Sequence, residues 1–228
     1  MCGIAGFLHR TQRPEAGALR ERVLAMADAL AHRGPDDRGA FVDAAAGVAL
    51  GHRRLSILDL SKAGAQPMTS ACGRFVLSYN GEIYGFASLV RELEGRGLRF
   101  RGHSDTEVLV ESIAAFGLEA TLSRLNGMFA FALWDVAARR LTLVRDRAGK
   151  KPLYYGRSGD VFLFGSELSA LESHPDFRGE VDRDALGLLV RYGWIPAPHA
   201  IYESVRKLEA GSLLHVEADG RERTQRWW

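Results

Sequence analysis

The chain has 228 residues, of which 46% are hydrophobic and 25% are charged. This composition is typical of a globular protein with one large core or two small ones, so we expect the chain to fold. The formal net charge is +2, and the basic and acidic residues are interspersed rather than collected into blocks. We therefore expect no nucleic-acid partner.

The N-terminal sequence and the cysteine content bear on the compartment. The longest apolar runs are far below the ~18 residues that a membrane span needs, and the N-terminus lacks the basic and apolar regions of a signal peptide. We expect a cytoplasmic protein with no membrane association. Cys2 and Cys72 are too few for a disulfide framework, and the seven histidines stand singly, so no metal site is predicted.

Three helices are predicted in the first half of the chain. Apolar residues recur at the spacing of one helix face over 15–31, with Pro14 suited to a first helical position. A second helix is expected over 86–95. A third begins near Ser104, because Ser104 and Glu107 have capping-box spacing, and it ends near Gly117.

Apolar, partly alternating runs separated by short polar turns predict five strands, at 75–80, 128–135, 140–147, 152–156 and 161–166. Such short turns favour mostly antiparallel sheets. A helix near 183–191 and a final hairpin over 211–228 follow. The predicted fold class is α+β, with strands and helices in separate layers.

Polar, glycine-rich motifs lie between these elements: "AHRGPDDRG" (31–39), "GHRRLSILDL" (51–60), "AQPM" (65–68), "YNGEIY" (79–84), "GHSDTE" (102–107) and "RDRAGKKPLYY" (145–155). Each has a structural interpretation when taken alone. "YNG" is a good turn, Asp105 complements a helix dipole, and Arg54 is a solvated charge. Cys2 alone is a small apolar residue at the start of an edge strand.

A cysteine at position 2 followed by these motifs in this order resembles the class II glutamine amidotransferases, which are N-terminal nucleophile hydrolases. The motifs "LSILDL", "AQPM", "NGEIY" and "KPLYY" are most similar to the glutaminase domain of glutamine-hydrolysing, B-type asparagine synthetases. The resemblance covers nearly the whole chain. It implies a four-layer αββα sandwich of two mostly antiparallel sheets between helical layers.

The resemblance also implies a mechanism. Removal of Met1 would leave Cys2 with a thiol as nucleophile and an α-amino group as base, and these two groups titrate close together. The side-chain amide of Asn80 and the backbone N–H of Gly81 would stabilise the oxyanion. Glutamine would be hydrolysed to glutamate and ammonia through a thioester.

Free glutamine carries an α-carboxylate and an α-ammonium, so its site needs one cation and one carboxylate. The family pattern assigns these roles to Arg54 and Asp105, while Arg53 is expected to be a surface residue. The remaining glutamine contacts that the resemblance implies come from Leu55, Ser56, Ile57, Leu58, Asn80, Gly81 and Glu82.

Residues 1–228 are expected to form one glutaminase domain, and its last ~18 residues form a hairpin that leads toward an absent synthetase domain. The chain contains no "SGGxD" and no P-loop motif. We therefore expect no cofactor in this domain, and we expect ATP and Mg only in the synthetase domain. Free glutamine is the expected substrate, and a synthetase domain in cis or in a partner subunit is the expected partner, with a homodimer suggested by the family.

Three alternatives stay open. The chain is the glutaminase domain of another amide-forming amidotransferase, a non-catalytic regulatory domain that binds glutamine, or an N-terminal nucleophile amidase acting on peptides or acyl amides. The sequence does not identify the acceptor of the ammonia, and it leaves open whether Met1 is removed.

Overall fold

The computed structural model describes residues 1–57 and 59–228. Leu58, one of the predicted glutamine contacts, lies outside the described residues. Within them the strands form two six-stranded antiparallel sheets. The strands of the first sheet are β1 (Gly3–His9), β2 (Asp37–Asp43), β3 (Val48–Arg54), β8 (Tyr154–Ser158), β9 (Val161–Gly165) and β10 (Val205–Lys207).

The first sheet has the order β10-β8-β9-β1-β3-β2. The strands of the second sheet are β4 (Met68–Thr69), β5 (Phe75–Ile83), β6 (Gly127–Asp135), β7 (Arg140–Arg145), β11 (Ser212–Glu217) and β12 (Glu222–Arg226). Its order is β12-β11-β7-β6-β5-β4. The described helices are α1 (Ala16–Asp28), α2 (Ala87–Gly95), α3 (Asp105–Phe116), α4 (Leu118–Arg124), α5 (Leu168–Glu172) and α6 (Arg183–Tyr192).

Alternation along the strands places apolar side chains on both faces of each sheet. In β1, Ile4 and Leu8 face the second sheet, whereas Ala5 and Phe7 face α1. In β6, the small residues Ala130 and Ala132 and the large Trp134 face the first sheet; Phe129, Phe131 and Leu133 face α3. Successive side chains of a strand point to opposite faces, so continuous apolar runs indicate strands covered on both sides.

The result is four layers. Helices α1 and α5 cover the outer face of the first sheet, and α3 covers the outer face of the second sheet. A third cluster of buried apolar side chains fills the space between the sheets. The predicted α+β class and the αββα sandwich are confirmed.

Most predicted elements are present, with some differences. Helix α4 was not predicted, because Gly117 ends α3 and the chain resumes a helix at once. Pro14 is not the first helical residue, since α1 begins at Ala16. Strand β1 lies inside its sheet, between β3 and β9, so the edge-strand interpretation of the N-terminus is wrong.

The predicted capping box is half formed. The Ser104 hydroxyl accepts a hydrogen bond from the Glu107 N–H (3.2 Å), as expected. The Glu107 carboxylate instead accepts from the N–H groups of Arg101 and Gly102, so it organises the loop before α3. The terminal hairpin is present as β11 and β12. Among the described helices, none has the length and hydropathy required to cross a membrane.

Candidate functional site

A cavity of about 160 Å³ opens at one end of the space between the sheets. Its wall is formed by the starts of β1, β6 and α3, the ends of β3 and β5, and the loops after β3 and β7. Predicted site residues that line it are Cys2, Arg54, Leu55, Ile57, Asn80, Gly81, Glu82 and Asp105. The fold thus brings together residues that are more than 100 positions apart in the sequence.

Cys2 is half-buried immediately before β1. The Leu55 N–H lies 3.4 Å from its Sγ and donates toward it. The Cys2 thiol in turn donates to the Leu55 carbonyl oxygen (3.7 Å), so both polar groups of the Leu55 backbone contact the sulfur. The Arg33 Nε donates to the Cys2 carbonyl oxygen (3.0 Å). The Arg33 Nη1 donates to the Glu167 carboxylate (2.6 Å), which orients the arginine that holds the Cys2 backbone.

Met1 is part of this end of the cavity. Its amino group donates to the Arg33 carbonyl oxygen (3.1 Å), and its side chain contributes to the cavity wall. In this form the nitrogen of Cys2 belongs to the Met1–Cys2 peptide bond. Such a nitrogen has no basic lone pair, so the predicted amine base exists only after Met1 is removed.

Asn80 is the most distinctive polar residue of the cavity. It is 1% exposed, and its Nδ2 has no hydrogen-bond acceptor among the residues that the structure describes. A buried donor left without an acceptor costs about 1–3 kcal/mol. Because Asn80 also lines the cavity, its amide is placed to donate to a ligand.

The backbone N–H of Gly81, next to Asn80, points in the same direction as two other backbone N–H groups of β5, each of which donates to a side-chain oxygen. The Tyr79 N–H donates to Gln66 Oε1 (2.7 Å), and the Ile83 N–H donates to Asp105 Oδ2 (3.0 Å). In an antiparallel strand, N–H groups of alternate residues point to the same edge. The Gly81 N–H therefore lies between these two donors, on the strand edge that faces away from β6.

The glycine at position 81 has a packing reason that the sequence interpretation did not identify. A Cβ there would lie 2.6 Å from the Met128 carbonyl oxygen and 2.6 Å from the Phe129 Cβ on β6. The space beside Gly81 is thus taken by the neighbouring strand. Close pairing of β5 and β6 accounts for the absence of a side chain at this position.

Asp105 begins α3 and is 5% exposed. Its Oδ2 accepts hydrogen bonds from the Tyr79 hydroxyl (2.8 Å) and from the Ile83 N–H. Burial raises the pKa of Asp105, and these hydrogen bonds act in the opposite direction. The carboxylate is held firmly against the end of β5, facing the cavity.

Arg54 is also buried, and its guanidinium holds the loop after β3. Its Nη1 donates to the Ser61 carbonyl oxygen (2.9 Å), and its Nη2 donates to the Asp59 carbonyl oxygen. Asp59 itself accepts from Ser61 and His103, and these hydrogen bonds lower its pKa to about 2. Arg54 therefore supports the loop as well as lining the cavity.

The predicted main-chain contacts fall into different environments. The Leu55 N–H faces Cys2, whereas the Ser56 N–H is donated to Asp36 Oδ2 (2.7 Å). Ile57 is 72% exposed and forms part of the cavity rim. Arg53 is not a solvated surface residue as expected, because its Nε donates to the Gly34 carbonyl oxygen and its side chain is mostly buried.

Sequence reasoning did not assign three further residues of this wall. The Gln66 Oε1 accepts a hydrogen bond from the Tyr79 N–H, and the Gln66 Nε2 donates to Thr106 Oγ1 (3.3 Å). The motif "AQPM" therefore links β5 to α3. Tyr79 supports Asp105, as described above. Lys151, from "KPLYY", is 5% exposed and lines the cavity. The motifs were visible in the sequence, but the direction of each side chain was not.

A separate group of potential metal ligands lies in the first sheet and the segment after α5. It contains His9, His174 and Asp176. The Arg22 Nη1 lies 3.7 Å from the Asp176 Oδ2, so a guanidinium already occupies the charged side of this group and opposes a cation. The group does not belong to the cavity that contains Cys2.

Comparisons with known proteins agree with this architecture. The chain is 37% identical over 224 residues to asparagine synthetase [glutamine-hydrolyzing] 3 of Bacillus subtilis, and the match covers 96% of this chain and 35% of that protein. It is 32% identical over 238 residues to amidase chry2 of Gibberella zeae, covering 100% of this chain and 34% of that protein. The chain thus spans about a third of the length of these relatives.

Among solved structures, the fold matches glutamine phosphoribosylpyrophosphate amidotransferase from B. subtilis with a TM-score of 0.72 and 22% identity. That match covers 100% of this chain and 49% of the other. A sequence model described as "Glutamine amidotransferase domain" matches residues 1–228. The chain belongs to the glutamine amidotransferase domain family.

Proposed function

We propose that this domain hydrolyses glutamine to glutamate and ammonia through a thioester on Cys2. The observation that carries the proposal is that the wall of one cavity contains both the Cys2 thiol and the Asn80 amide, whose Nδ2 has no acceptor among the described residues. Acyl transfer requires a nucleophile and a free hydrogen-bond donor in one site.

The first step requires Met1 to be removed. The α-amino group of Cys2 takes the thiol proton while the sulfur attacks the side-chain carboxamide carbon of glutamine. The resulting ammonium gives its proton to the amide nitrogen, the C–N bond breaks, and ammonia leaves. Water then attacks the thioester, releases glutamate and restores the thiol.

The developing oxyanion needs donors that are in place before the reaction. The Asn80 Nδ2 and the Gly81 N–H fill this role in the proposal, because both belong to the cavity end of β5. Strand β5 is held on one side by β6 and on the other by Gln66 and Asp105. The donors therefore need little rearrangement when charge develops.

Recognition of free glutamine uses the two buried charges of the wall. Asp105 is assigned to the α-ammonium, and Arg54 is assigned to the α-carboxylate through the N–H groups that the loop carbonyls do not use. Leu55, Ser56, Ile57, Leu58 and Glu82 complete the proposed contacts. Because the Ser56 N–H is donated to Asp36, a contact from Ser56 would use its side chain or carbonyl group.

We further propose that the ammonia is used in ATP-dependent synthesis of asparagine from aspartate. The support is the similarity to a relative named asparagine synthetase, of which this chain matches 35%. ATP and Mg would then belong to a synthetase region in cis or in a partner subunit. The similarity to a protein named an amidase supports a second candidate, in which the ammonia goes to a different acceptor.

The test is glutamate release by Cys2→Ala compared with Cys72→Ala. Both cysteines are free thiols, but Cys72 is exposed and lies outside the cavity wall. We expect Cys2→Ala to lose at least about 1,000-fold in kcat. The Cys72→Ala variant should match the wild-type protein. Equal activity of the two variants would refute the assignment of the nucleophile.

A further inference from the structure

Lys151 is a buried cation of the cavity wall that the mechanism above does not use. Its side chain is 5% exposed, and its Nζ lies 3.1 Å from the Met1 Sδ. A thioether is a weak acceptor, and no described carboxylate forms an ion pair with this Nζ. Burial of an ammonium group without a strong partner lowers the stability of the fold. A function in the cavity would explain why the lysine is placed there.

The loop after β7 is built to present this lysine. The Asp146 carboxylate accepts hydrogen bonds from the N–H groups of Ala148, Lys150 and Lys151, at 3.0 Å each. The Arg145 guanidinium donates to the carbonyl oxygens of Lys151 (2.8 Å) and Gly149 (2.7 Å). The backbone of Lys151 is therefore fixed on both sides, and its side chain is directed to the Met1–Cys2 end of the cavity.

The charges around this end of the cavity do not neutralise Lys151 by direct contact. Arg33 pairs with Glu167, and Asp105 accepts from Tyr79, while Glu82 and Arg54 line the cavity. Burial lowers the pKa of Lys151, the Arg33 guanidinium lowers it further, and Cys2, Glu82 and Asp146 act to raise it. The contact of the Lys151 Nζ with Met1, the residue that precedes Cys2, places the ammonium at the same end of the cavity as Cys2.

We propose that Lys151 tunes the base of the reaction. Once Met1 is removed, its ammonium opposes protonation of the Cys2 α-amino group and keeps that amine in the free-base form at neutral pH. Two positive charges in a partly buried site repel each other, whereas the neutral amine has no such repulsion. The inference rests on the proposed glutaminase activity, because only an amine acting as base makes the protonation state matter.

The direction of the effect follows from the charges. Removing the Lys151 charge makes the protonated amine less unfavourable, so the pKa of the amine rises. The acidic limb of kcat/KM, which reports the free enzyme's base, should then move to higher pH. Lys151 acts on the α-amino group and has no contact with the substrate in this proposal.

The test is the pH profile of kcat/KM for glutamine, measured on protein whose N-terminus is shown by mass spectrometry to be Cys2. Lys151→Met should move the acidic limb upward by about one pH unit, with wild-type values recovered at alkaline pH. This corresponds to a loss of about tenfold below the limb. Lys151→Gln is a second neutral variant, in case methionine packs poorly.

Two controls separate the explanations. Lys150→Met removes a charge from the exposed neighbour in the same loop and should leave the limb in place. Lys151→Arg keeps the positive charge and should keep the wild-type limb. A wild-type limb in both neutral variants, or an equal loss at every pH, would overturn the proposal. If Lys151→Arg loses the acidic limb of kcat/KM, the titrating base is the Lys151 amine itself, and the proposal is wrong. If the wild-type protein with Cys2 at its N-terminus releases no glutamate, the proposed glutaminase activity is refuted, independently of the effect of Lys151 on the α-amino group.

Discussion

The loop after β7 and the cavity end of β5 both bury polar groups, but they satisfy them to different extents. In the loop, the Asp146 carboxylate accepts the N–H groups of Phe129, Ala148, Lys150 and Lys151. At the end of β5, the Asn80 Nδ2 has no acceptor among the described residues. The Asp146 carboxylate is thus satisfied by protein donors, whereas the Asn80 amide has a donor that no described residue accepts.

This difference separates a residue that holds the fold from a residue proposed to meet a substrate. A carboxylate saturated by backbone donors fixes the path of the chain, and replacing it exposes those donors. A buried amide without an acceptor destabilises the folded chain, and its donor is available to stabilise charge that develops beside it. Substitutions in the two regions should therefore act on different properties, namely the free energy of unfolding and the rate of glutamine hydrolysis.

The largest expected effect is on stability at Asp146. Asp146→Ala should lower the free energy of unfolding by about 3–5 kcal/mol, because several buried N–H groups lose their acceptor together. Chemical denaturation measures the loss. Lys150→Ala in the same loop serves as the control and should change stability by less than about 0.5 kcal/mol. A mild effect of Asp146→Ala would show that the loop is not held by this carboxylate.

Asn80→Ala should act on the reaction instead. We expect kcat to fall by about 100- to 1,000-fold, since a donor to the oxyanion is removed. The free energy of unfolding should not fall appreciably, because the Nδ2 has no acceptor to lose among the described residues and its removal ends the cost of burying it. Steady-state kinetics and denaturation on the same samples distinguish the two effects. An unchanged kcat would remove Asn80 from the oxyanion site.

Acid should weaken the fold through a histidine between the sheets. His52 lies 3.0 Å from the Tyr79 carbonyl oxygen through its Nε2, and burial lowers its pKa from 6.5 to about 4. Between these two values the unfolded chain binds more protons than the folded chain. The stabilisation is therefore complete above about pH 6.5 and is lost as the pH falls toward 4, by about 3 kcal/mol in total.

This pH dependence is measured by denaturation at several pH values. His52→Gln should reduce the slope between pH 7 and pH 4, whereas His103→Gln, at an exposed position, should leave it unchanged. The buried His174, whose pKa is also lowered to about 4, should supply part of the remaining slope. An unaltered slope in His52→Gln would contradict the account.

The smallest expected effect concerns substrate binding. Tyr79→Phe removes the hydroxyl that donates to Asp105, and we expect the KM for glutamine to rise about three- to tenfold with kcat nearly unchanged. Tyr84→Phe, at an exposed position, should keep the wild-type KM. A loss confined to kcat would place Tyr79 in the chemical step instead of in the support of Asp105.

The sequence predicted the parts of the fold that have local patterns. Apolar runs identified β5, β6 and β9, and the Ser104 cap identified the start of α3. Strand β3 was not predicted from the sequence, because its residues do not form the apolar run or the regular alternation that indicates a strand. Its inner face ends in the polar His52 and Arg54, and its outer face carries small residues that contact α1.

The site was predictable to a similar degree. The residue types at positions 2, 54, 80 and 105 identified the candidate chemistry through the family resemblance, and the fold brings them to one cavity. The role of Lys151 was not predictable, since its direction depends on Asp146, Arg145 and strands distant in sequence. Long-range contacts of this kind leave no periodic signal.

The central claim, that Cys2 is a nucleophile for glutamine, is tested most directly by covalent labelling with 6-diazo-5-oxonorleucine, an electrophilic glutamine analogue. In protein that lacks Met1, we expect one label per chain on Cys2, located by peptide mass spectrometry and suppressed by excess glutamine. Protein that retains Met1 should label far more slowly, because the base is absent. Labelling of Cys72, or rapid glutamate release by protein that cannot be labelled at Cys2, would contradict the account.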